Sequence, residues 1–442
     1  MPISSFMGLQ TSLRGLIAHQ QALNTTGHNI ANANVEGFSR QEAVLRTTHP
    51  LVVPVNSHVT GAGAQLGTGV DVSAIRRIRD TFLDLQYRTE AMKLGDAQAR
   101  TNSLEQAELA FGEPSENGIN ALLDRFWNAW SSLAQDPSSA AARTTVIESA
   151  NTLAAAFQTV YSQLTTVAAQ AQDEYDRITG PAGDVEVWAQ ELAQLNGAIA
   201  HAVTVGQAPN DLLDRRDLLI DKLASLAQVS VRELNDGAVI IEFGGVTLVD
   251  PSAPGGYTWP QTLRSPGGKL GALLDLAAPT GPALALRNRL DAIAQELVTR
   301  VNDIHRRPFG VDFFDPAGTT AGTIAVAITA DRLNPGTTAD AERNDIANAI
   351  AQLRGGSVNR AYAALVAEVG SIVRSANNAE RIQQALVDAI NDRRQSVQGV
   401  SPDEEMVNLV RFQRGYEASA RAMTALDSML DTLINRTGRV GL

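Results

Sequence analysis

The sequence predicts a mainly α-helical protein with a small inserted β-rich domain, in which both ends of the chain build an elongated helical bundle or coiled coil. Hydrophobic residues make up 44% of the 442 residues, while aromatic residues make up only 5%. This composition favours helices packed through small and aliphatic side chains. Both ends of the chain show heptad patterns of apolar residues, and strand-like runs interrupt the helical pattern between them.

The N-terminal helix is predicted from apolar positions that alternate in steps of three and four. A stripe this narrow cannot bury itself, so the helix needs a helical partner, either the other end of the chain or a neighbouring subunit. Its seam consists of Phe6, Leu9, Leu13, Leu16, Gln20, Leu23, Gly27 and Ile30.

The C-terminal helix shows the same alternation and a sharp start. Ser401 is placed to cap the helix, Pro402 fits its first position, and Glu404 fits its third. We therefore expect this helix to begin at Pro402. Its seam consists of Leu409, Phe412, Tyr416, Ser419, Met423, Leu426, Leu430, Leu433, Thr437 and Val440.

Between the two ends, helical and strand-like patterns alternate. Val- and Thr-rich runs punctuated by Pro and Gly predict loops and short strands over 32–79. Three β-rich runs separated by turn residues predict hairpin strands over 229–250, and a second β-like stretch covers 310–328. Pro and Gly dominate between Asp250 and Gly281. Helical periodicity predicts helices over 81–109, 119–133, 140–178, 185–202, 210–226, 283–305, 341–353 and 358–397.

These elements predict three domains. Residues 1–33 and 400–442 would form a terminal coiled-coil domain. The helical-bundle body would combine 34–230, 281–305 and 340–399. A small β-rich outer domain would combine 231–280 and 306–339.

The composition excludes several classes of protein. A net charge of −12 and a pI near 5.0 argue against a nucleic-acid binder, which needs a basic face. The absence of Cys excludes disulfides, zinc–thiolate sites and thiol catalysis. The N-terminal stretch lacks the features of a secretory signal peptide, and no apolar run reaches the roughly 18 residues of a membrane span.

No catalytic, cofactor or metal site is predicted. The glycines of 61–67 have the wrong spacing for a dinucleotide loop, and Gly267–Gly268–Lys269 lacks the rest of a phosphate loop. The six His are scattered, without metal-ligand spacing. An acidic cluster interleaved with Arg is interpreted as a solvated, internally paired helix surface rather than a cation site. This cluster consists of Asp211, Asp214, Asp217 and Asp221.

Two strings near the N-terminus, NIANAN at 29–34 and GFSRQ at 37–41, resemble the signature of the flagellar axial proteins. This family includes rod, hook and hook-associated proteins, and the Ser-Arg-Gln ending is most similar to its hook-associated members. Asn34 and Gly37 suit positive φ where the chain leaves the helix, and the Asn amides can bond to unpaired carbonyls there. The signature residues are Asn29, Asn32, Asn34, Gly37, Ser39, Arg40 and Gln41.

The rest of the chain carries the same resemblance. DEEMVNLVRFQR at 403–414 and LDTLIN at 430–435 resemble the closing helix of the family, and NDLLDRRDLLID at 210–221 is similar to a segment of the hook-associated members. We therefore expect the C-terminal helix to act in assembly. Its candidate residues are Glu404, Glu405, Leu409, Phe412, Tyr416, Met423, Leu426, Leu430 and Leu433.

The resemblance implies a structural role. Such a subunit would leave the cell through the flagellar secretion channel and form the hook–filament junction, with terminal helices paired antiparallel around the axial channel. Its partners would be further copies of itself in a ring, the hook protein, the second junction protein on the filament side, and an export chaperone on the C-terminal helix. No cofactor, nucleic acid or membrane insertion is expected.

Three alternatives stay open. The chain could be another axial protein, such as a hook or distal rod component, although the 210–221 segment and the long helical body argue against it. It could be a peptidoglycan-cleaving flagellar protein, which would need a carboxylate pair or a nucleophile in a cleft, and none is nominated. It could also be a cytoplasmic helical adaptor.

Overall fold

A computed structural model describes residues 6–52, 65–307, 310–337 and 343–436 of the chain. The fold is mainly helical with small antiparallel sheets, which confirms the predicted fold class. The helices are α1 (Met7–Ala31), α2 (Thr81–Phe111), α3 (Ile119–Gln135), α4 (Ala140–Thr179), α5 (Asp184–Thr204), α6 (Asn210–Leu226), α7 (Gly268–Ala277), α8 (Pro282–His305), α9 (Asp345–Ala351), α10 (Ser357–Gln398) and α11 (Pro402–Asp431). The strands are β1 (Gln41–Thr47), β2 (Leu51–Val52), β3 (Gln65–Leu66), β4 (Val70–Arg77), β5 (Val229–Glu233), β6 (Val239–Phe243) and β7 (Val246–Val249).

Side-chain caps explain where several helices begin. Asp80 accepts hydrogen bonds from the first backbone amides of α2, and Ser139 caps α4 in the same way. Ser401 caps α11 and Pro402 occupies its first position, as predicted. The helices α4 and α10 contain 40 and 42 residues, so each is about 60 Å long at 1.5 Å per residue.

A first hydrophobic core joins α3, α4, α8, α9 and α10. Its centre holds the fully buried rings of Trp127, Trp130 and Phe126, which pack at tilted or edge-to-face angles against Phe313 and other rings. Because aromatic rings are few in this chain, their concentration here makes this core the main aromatic contact region.

A second hydrophobic core joins α5, α6 and α7 to the three-stranded sheet β5–β6–β7. The side chains of Val239, Ile241 and Phe243 on the central strand β6 are buried against these helices. The predicted hairpin strands are therefore confirmed, with Val229 opposite Phe243 and Phe243 opposite Val246.

Two stretches differ from the sequence-based expectation. The Gly- and Pro-rich stretch before Gly281 contains α7, whose Leu270, Leu273 and Leu276 are buried in the second core. The β-like stretch over 310–328 forms only one isolated bridge, between Phe314 and Val326, and is otherwise irregular. Burial of aromatic side chains, rather than strand pairing, holds this stretch in place.

The predicted domain boundaries remain a prediction. The sheet β5–β6–β7 belongs to the second core, whereas Phe313, Phe314 and Ile324 belong to the first. Any outer domain that combines 231–280 with 306–339 must therefore accommodate two separate hydrophobic clusters.

The terminal helices α1 and α11 pair antiparallel along most of their length. Their contacts follow a face of small residues on α1 rather than the predicted apolar seam. Leu13 of that seam is exposed, and so is Ile17, which lies outside it. A methyl group added at Gly415 would lie 2.6 Å from the His19 ring. The facing positions advance by equal steps in opposite directions. They are Gly8 with Leu426, Gly15 with Ser419, His19 with Gly415, and Asn29 with Glu405.

Candidate functional site: the junction between the terminal helices and the body

The family-signature residues lie where the terminal helix pair meets the rest of the chain. After α1 the chain turns and enters β1, which pairs antiparallel with β4. Close by, α10 ends at Gln398 and α11 begins at Pro402. The backbone amide of Arg40 donates to the Gln398 carbonyl at 2.9 Å, so the two connecting segments are hydrogen bonded to each other.

Asn29 joins α1 to the first residue of β1. Its Oδ1 accepts from the backbone amide of Gln41 at 2.9 Å, and its Nδ2 donates to the Gln41 carbonyl at 2.8 Å. The same Nδ2 donates to Glu405 on α11 at 3.1 Å. Because Asn29 is buried, these bonds satisfy polar groups that would otherwise be costly to remove from water.

The same use of a buried Asn occurs at two other places in the body. Asn196 on α5 accepts from and donates to the backbone of Val239, at 3.1 and 2.7 Å. Asn302 on α8 accepts from the amides of Phe313 and Phe314 and donates to the Phe314 carbonyl. Each of these amides fixes an extended segment against a helix, which explains why Asn, with one donor group and one acceptor, is suited to position 29.

Arg40 anchors the start of α11. Its Nε donates to Glu405 at 2.8 Å and its Nη1 donates to Glu404 at 3.1 Å. Glu405 is only 2% exposed, whereas the Glu404 side chain is 64% exposed. Glu405 therefore carries the buried half of this ion pair, and Glu404 lies at its solvent edge.

Gln41 extends the junction to the start of α6. Its Nε2 donates to Asp211 at 2.7 Å, and its Oε1 accepts from Asn210 at 3.1 Å. Asn210 also donates to the Ile75 carbonyl on β4, and Asp211 lies 3.2 Å from His28 of α1. Gln41 and its two partners on α6 thus connect α1, the paired strands β1 and β4, and α6.

The remaining signature residues have mixed outcomes. Gly37 has a φ of +81°, as predicted, and a side chain there would meet Leu218. Asn32 donates to the His28 carbonyl at the end of α1, also as predicted. Asn34 is exposed, and the prediction that it adopts positive φ is wrong. Ser39 is buried, and its backbone amide donates to Asp214 at 3.0 Å.

Next to the signature residues lies a second set of polar side chains, which we call the arginine–aspartate cluster. Arg77 Nη1 lies 2.9 Å from both Asp214 and Asp217. Arg79 lies 2.7 Å from Asp84 and 3.0 Å from Asp217. The cluster consists of Arg77, Arg79, Asp84, Arg88, Asp214, Asp217, Asp221 and Arg394.

The cluster also ties α10 to α2 and α6. Arg394 Nη2 bridges Asp84 at 2.9 Å and Asp221 at 2.8 Å, and its guanidinium lies 4.3 Å from the centre of the Tyr87 ring. Arg88 donates to Asp221 at 2.6 Å. Four elements from distant parts of the chain therefore meet through alternating charges.

Burial and charge act in opposite directions on the cluster. Burial raises the pKa of Asp214, although hydrogen bonds from Ser39 and Arg77 oppose the shift. Burial would also raise the pKa of Asp217, but Arg79, Arg77 and further arginines together lower it below its usual value. The two carboxylates lie one helical turn apart, and their pKa values shift in opposite directions because Asp217 faces more guanidinium groups.

The interpretation of this helix surface as solvated and internally paired is wrong. Asp214 and Asp217 are buried, and their partners Arg77 and Arg79 come from the end of β4 and the residues after it. A sequence signal was present, because α6 carries four carboxylates against three basic residues, while 76–79 holds three arginines.

The apolar stripe of α11 faces α1, as its periodicity predicted. Leu409, Phe412, Tyr416, Met423, Leu426 and Leu430 are half-buried. Leu433 is 60% exposed, and Thr437 and Val440 lie outside the described residues. The opposite face of the helix exposes further apolar side chains. These are Met406, Val407, Val410 and Met429.

The described residues carry neither a metal-binding cluster nor a membrane-spanning helix. Over 6–52, 65–307, 310–337 and 343–436, no group of three or more His, Asp or Glu side chains is arranged to hold a metal ion. In the same part of the chain, none of the helices combines the length and apolar character that a bilayer crossing requires.

Comparison with known proteins decides the family. The flagellar hook-associated protein 1 of Bacillus subtilis (strain 168) is 31% identical over 505 aligned residues, which cover 98% of this chain and 99% of the relative. The chain belongs to the flagellar hook-associated protein 1 family. Members of this family are structural components of the bacterial flagellum. The member from Salmonella typhimurium (strain LT2) is 24% identical to this chain, over 96% of this chain and 98% of the relative.

Three family models match separate parts of the chain. The model described as the helical domain of flagellar hook-associated protein FlgK matches residues 104–258. Models for a flagella basal body rod protein and for the C-terminal part of the basal body rod FlgEFG proteins match 9–38 and 394–436. The last two matches cover most of α1 and all of α11, the helices that meet at the junction. A solved structure of the flagellar hook junction protein FlgK from Burkholderia pseudomallei has 23% identity and a TM-score of 0.41, covering 50% of this chain and 43% of that one.

Proposed function

We propose that this chain is the structural subunit that joins the flagellar hook to the filament. In this proposal it leaves the cell unfolded through the flagellar secretion channel and assembles with copies of itself into a ring. The hook protein would contact one side of the ring and the second junction protein would contact the filament side. The proposed role is mechanical rather than enzymatic.

The observation that supports this proposal is the paired terminal helices, anchored at one end and apolar on their outer faces. α1 and α11 contact each other through small residues and half-buried apolar residues, while Leu13, Ile17 and Val407 face outward. A helix pair that exposes apolar side chains on several sides is suited to packing against other helices. The terminal helices would therefore supply the contacts between neighbouring subunits.

The polar junction supports the same role. A subunit that carries load between two tubular structures needs its terminal helices held at a fixed position on the body. The bonds of Asn29, Arg40 and Gln41 supply this attachment, because they join α1, α11, β1 and α6 at one place.

Before export, the stripe of α11 would need a protective partner. An exposed apolar stripe of this size binds a partner or aggregates, and a cytoplasmic export chaperone would hold it by helix-in-groove docking, with anchors at three- and four-residue steps. After export, the same stripe would pack against α1, where Leu426 already covers Gly8. Chaperone and assembled ring would compete for one surface.

The proposal is tested by placing two charges in the stripe. The variant Leu426→Asp with Leu430→Asp should lose chaperone binding and filament assembly together, because charges in an apolar contact are strongly unfavourable. Binding is measured by titrating the full-length chain with the chaperone, and assembly by motility and by antibody labelling of sheared appendages. The matched control is Thr424→Asp with Ser428→Asp, which adds the same charges at exposed positions of α11.

The control variant should bind the chaperone and support filaments. If the Leu426 and Leu430 variant also bound and assembled normally, the stripe would not be the shared surface. If the wild-type chain were absent from sheared hook–filament structures, the proposed junction role itself would be wrong.

A further inference from the structure

A second apolar surface lies on the body, away from the terminal helix pair. The start of α2 and the end of α10 form a shallow groove of about 440 Å³. Leu83, Ile390 and Val397 contribute to its walls, and Phe82 at its edge is 63% exposed. Along α10 the apolar surface continues through the exposed side chain of Leu386. Within the described residues, this surface is not covered by any other element of the same chain.

The chain also carries an apolar helical face of similar length that faces away from α1. On the first turns of α11, Met406, Val407 and Val410 are exposed, and Val407 is 68% exposed. Asp403, also exposed, lies one turn before Met406 on the same side of the helix. This face cannot reach α1, because Glu405 and Leu409 already occupy the side that does.

The two faces have matching spacing when the helices run antiparallel. From Asp403, the positions of interest on α11 follow after three, four and seven residues, at Met406, Val407 and Val410. From Arg393, the positions on α10 precede it by the same steps, at Ile390, Ala389 and Leu386. The alignment places Asp403 opposite Arg393 and puts the apolar residues of the two faces opposite one another.

We propose that the α2–α10 groove of one subunit receives the exposed face of α11 from a second copy of this chain. This inference rests on the proposed function, and it identifies the surface through which the copies meet. The contact is heterologous, since each copy offers its groove to one neighbour and its α11 face to the other. Heterologous contacts of this kind continue from subunit to subunit; they close into a ring when the rotation between subunits closes, and otherwise they build an open helical array.

Charge gives the contact its register. Arg393 and Asp403 are both exposed in the single chain, and in the proposed contact they meet at one end of the apolar stretch. Sliding the helices by one residue would separate this pair and move the apolar side chains out of alignment. The ion pair therefore favours one alignment over its neighbours rather than supplying most of the affinity.

Site-specific cross-linking tests the contact, because the natural chain contains no Cys. Two full-length variants, Ile390→Cys and Met406→Cys, are purified separately, concentrated together and oxidised. We expect a disulfide-linked dimer that contains one copy of each. The control mixes Ile390→Cys with Met429→Cys. Met429 is slightly more exposed than Met406, at 62% against 54%, but lies near the far end of α11, and the yield of this mixture should be lower by about tenfold.

Charge reversal tests the register in the same assay. Arg393→Asp or Asp403→Arg alone should reduce the cross-linked yield about two- to fivefold, the range expected for one exposed ion pair. The double reversal should restore the yield, because the pair is then present with its signs exchanged. Circular dichroism of each variant checks that its helices are intact.

Two outcomes would overturn the inference. Equal yields from the test and control mixtures would show that the contact is not specific, and failure of the double reversal to restore the yield would show that Arg393 and Asp403 do not face each other. The proposed function is judged separately, by the presence of the wild-type chain in sheared appendages. A chain that is present there but fails to cross-link between Ile390 and Met406 would refute only this inference.

Discussion

The substitution Asp217→Asn tests whether the arginine–aspartate cluster holds the body together. Asn has nearly the same shape as Asp but carries no charge. Asp217 lies within 3.0 Å of the Arg77 and Arg79 guanidinium groups and 3.7 Å from that of Arg88. The substitution would leave these buried cations without the carboxylate that they share.

The expected cost is about 3 kcal/mol in the free energy of unfolding at neutral pH. Removing one partner of a buried ion pair typically costs about 3–5 kcal/mol. The lower end applies here because the side chains of Asp217 and its partners retain 10–16% exposure and because Arg77 keeps its contact with Asp214. The Asn amide can still accept one hydrogen bond from a guanidinium group.

The effect should depend on pH in one direction. The pKa of Asp217 is lowered in the folded chain below the ordinary value of 3.8, so its charged form stabilises the fold above that value. This stabilisation is lost as the pH falls from about 3.8 through the lower folded pKa. The difference between wild type and Asp217→Asn should therefore be constant from pH 7 to about pH 5 and shrink below pH 4.

Urea unfolding followed by tryptophan fluorescence measures this difference, since guanidinium salts would screen the ion pairs. The matched control is Asp211→Asn on the same helix, whose side chain is 66% exposed and which should cost less than about 1 kcal/mol. Equal losses from the two substitutions would refute the assignment of Asp217 as the centre of the cluster. A difference that stayed constant down to pH 2 would refute its electrostatic origin.

Three further predictions concern the junction and the first core. Glu405→Ala should weaken the attachment of α11 by about 2–3 kcal/mol, because Arg40 and Asn29 lose a buried partner, whereas Glu404→Ala should cost less than about 1 kcal/mol. Hydrogen exchange at the start of α11 compares the two variants. Similar exchange rates in both would contradict the assignment of Glu405 as the buried partner. In the isolated monomer, the backbone amides of α1 and α11 should exchange hydrogen faster than those of α4, because the contact between α1 and α11 buries few large side chains. Equal protection of all three helices would argue against the idea that α1 and α11 become ordered only on assembly. Burial lowers the pKa of His305, so wild-type stability should decline as the pH falls below 6.5. His305→Gln should show a smaller decline in urea titrations, and the remainder is expected because burial also lowers the pKa of His19.

The long helices could be predicted from the sequence because their patterns extend over many turns. α4 and α10 repeat their apolar positions across more than ten turns, and Ser401 with Pro402 fixed the start of α11 to the residue. α7 escaped prediction because ten residues, apolar on most sides and bounded by Gly and Pro, lack helical periodicity. Its helical state is set by burial in the second core rather than by its own pattern.

The candidate site was only partly predictable, for a different reason. Asn29, Arg40 and Gln41 could be singled out because they form a recognisable string, but their roles depend on partners far along the chain. Gln41 is bonded to Asp211 across 170 residues, and Arg40 to Glu405 across 365. The same holds for Asp217, whose surroundings cannot be inferred from α6 alone.

The terminal helices show that a heptad pattern predicts a helix without identifying which face its partner in the same chain covers. The heptad positions of α1 were predicted to contact either the other end of the chain or a neighbouring subunit, and α11 packs instead over Gly8, Gly15 and His19. Small residues let the two helices approach closely, and the larger side chains of Leu13 and Ile17 are left outside. In the predicted seam Leu13 is exposed, and Leu9, Leu16, Leu23 and Ile30 are only half-buried, so the seam keeps apolar surface available to a second partner. The exposed apolar positions of α1 thus support packing between subunits more directly than the α1–α11 contact does, because the contact within the chain satisfies only the small-residue face.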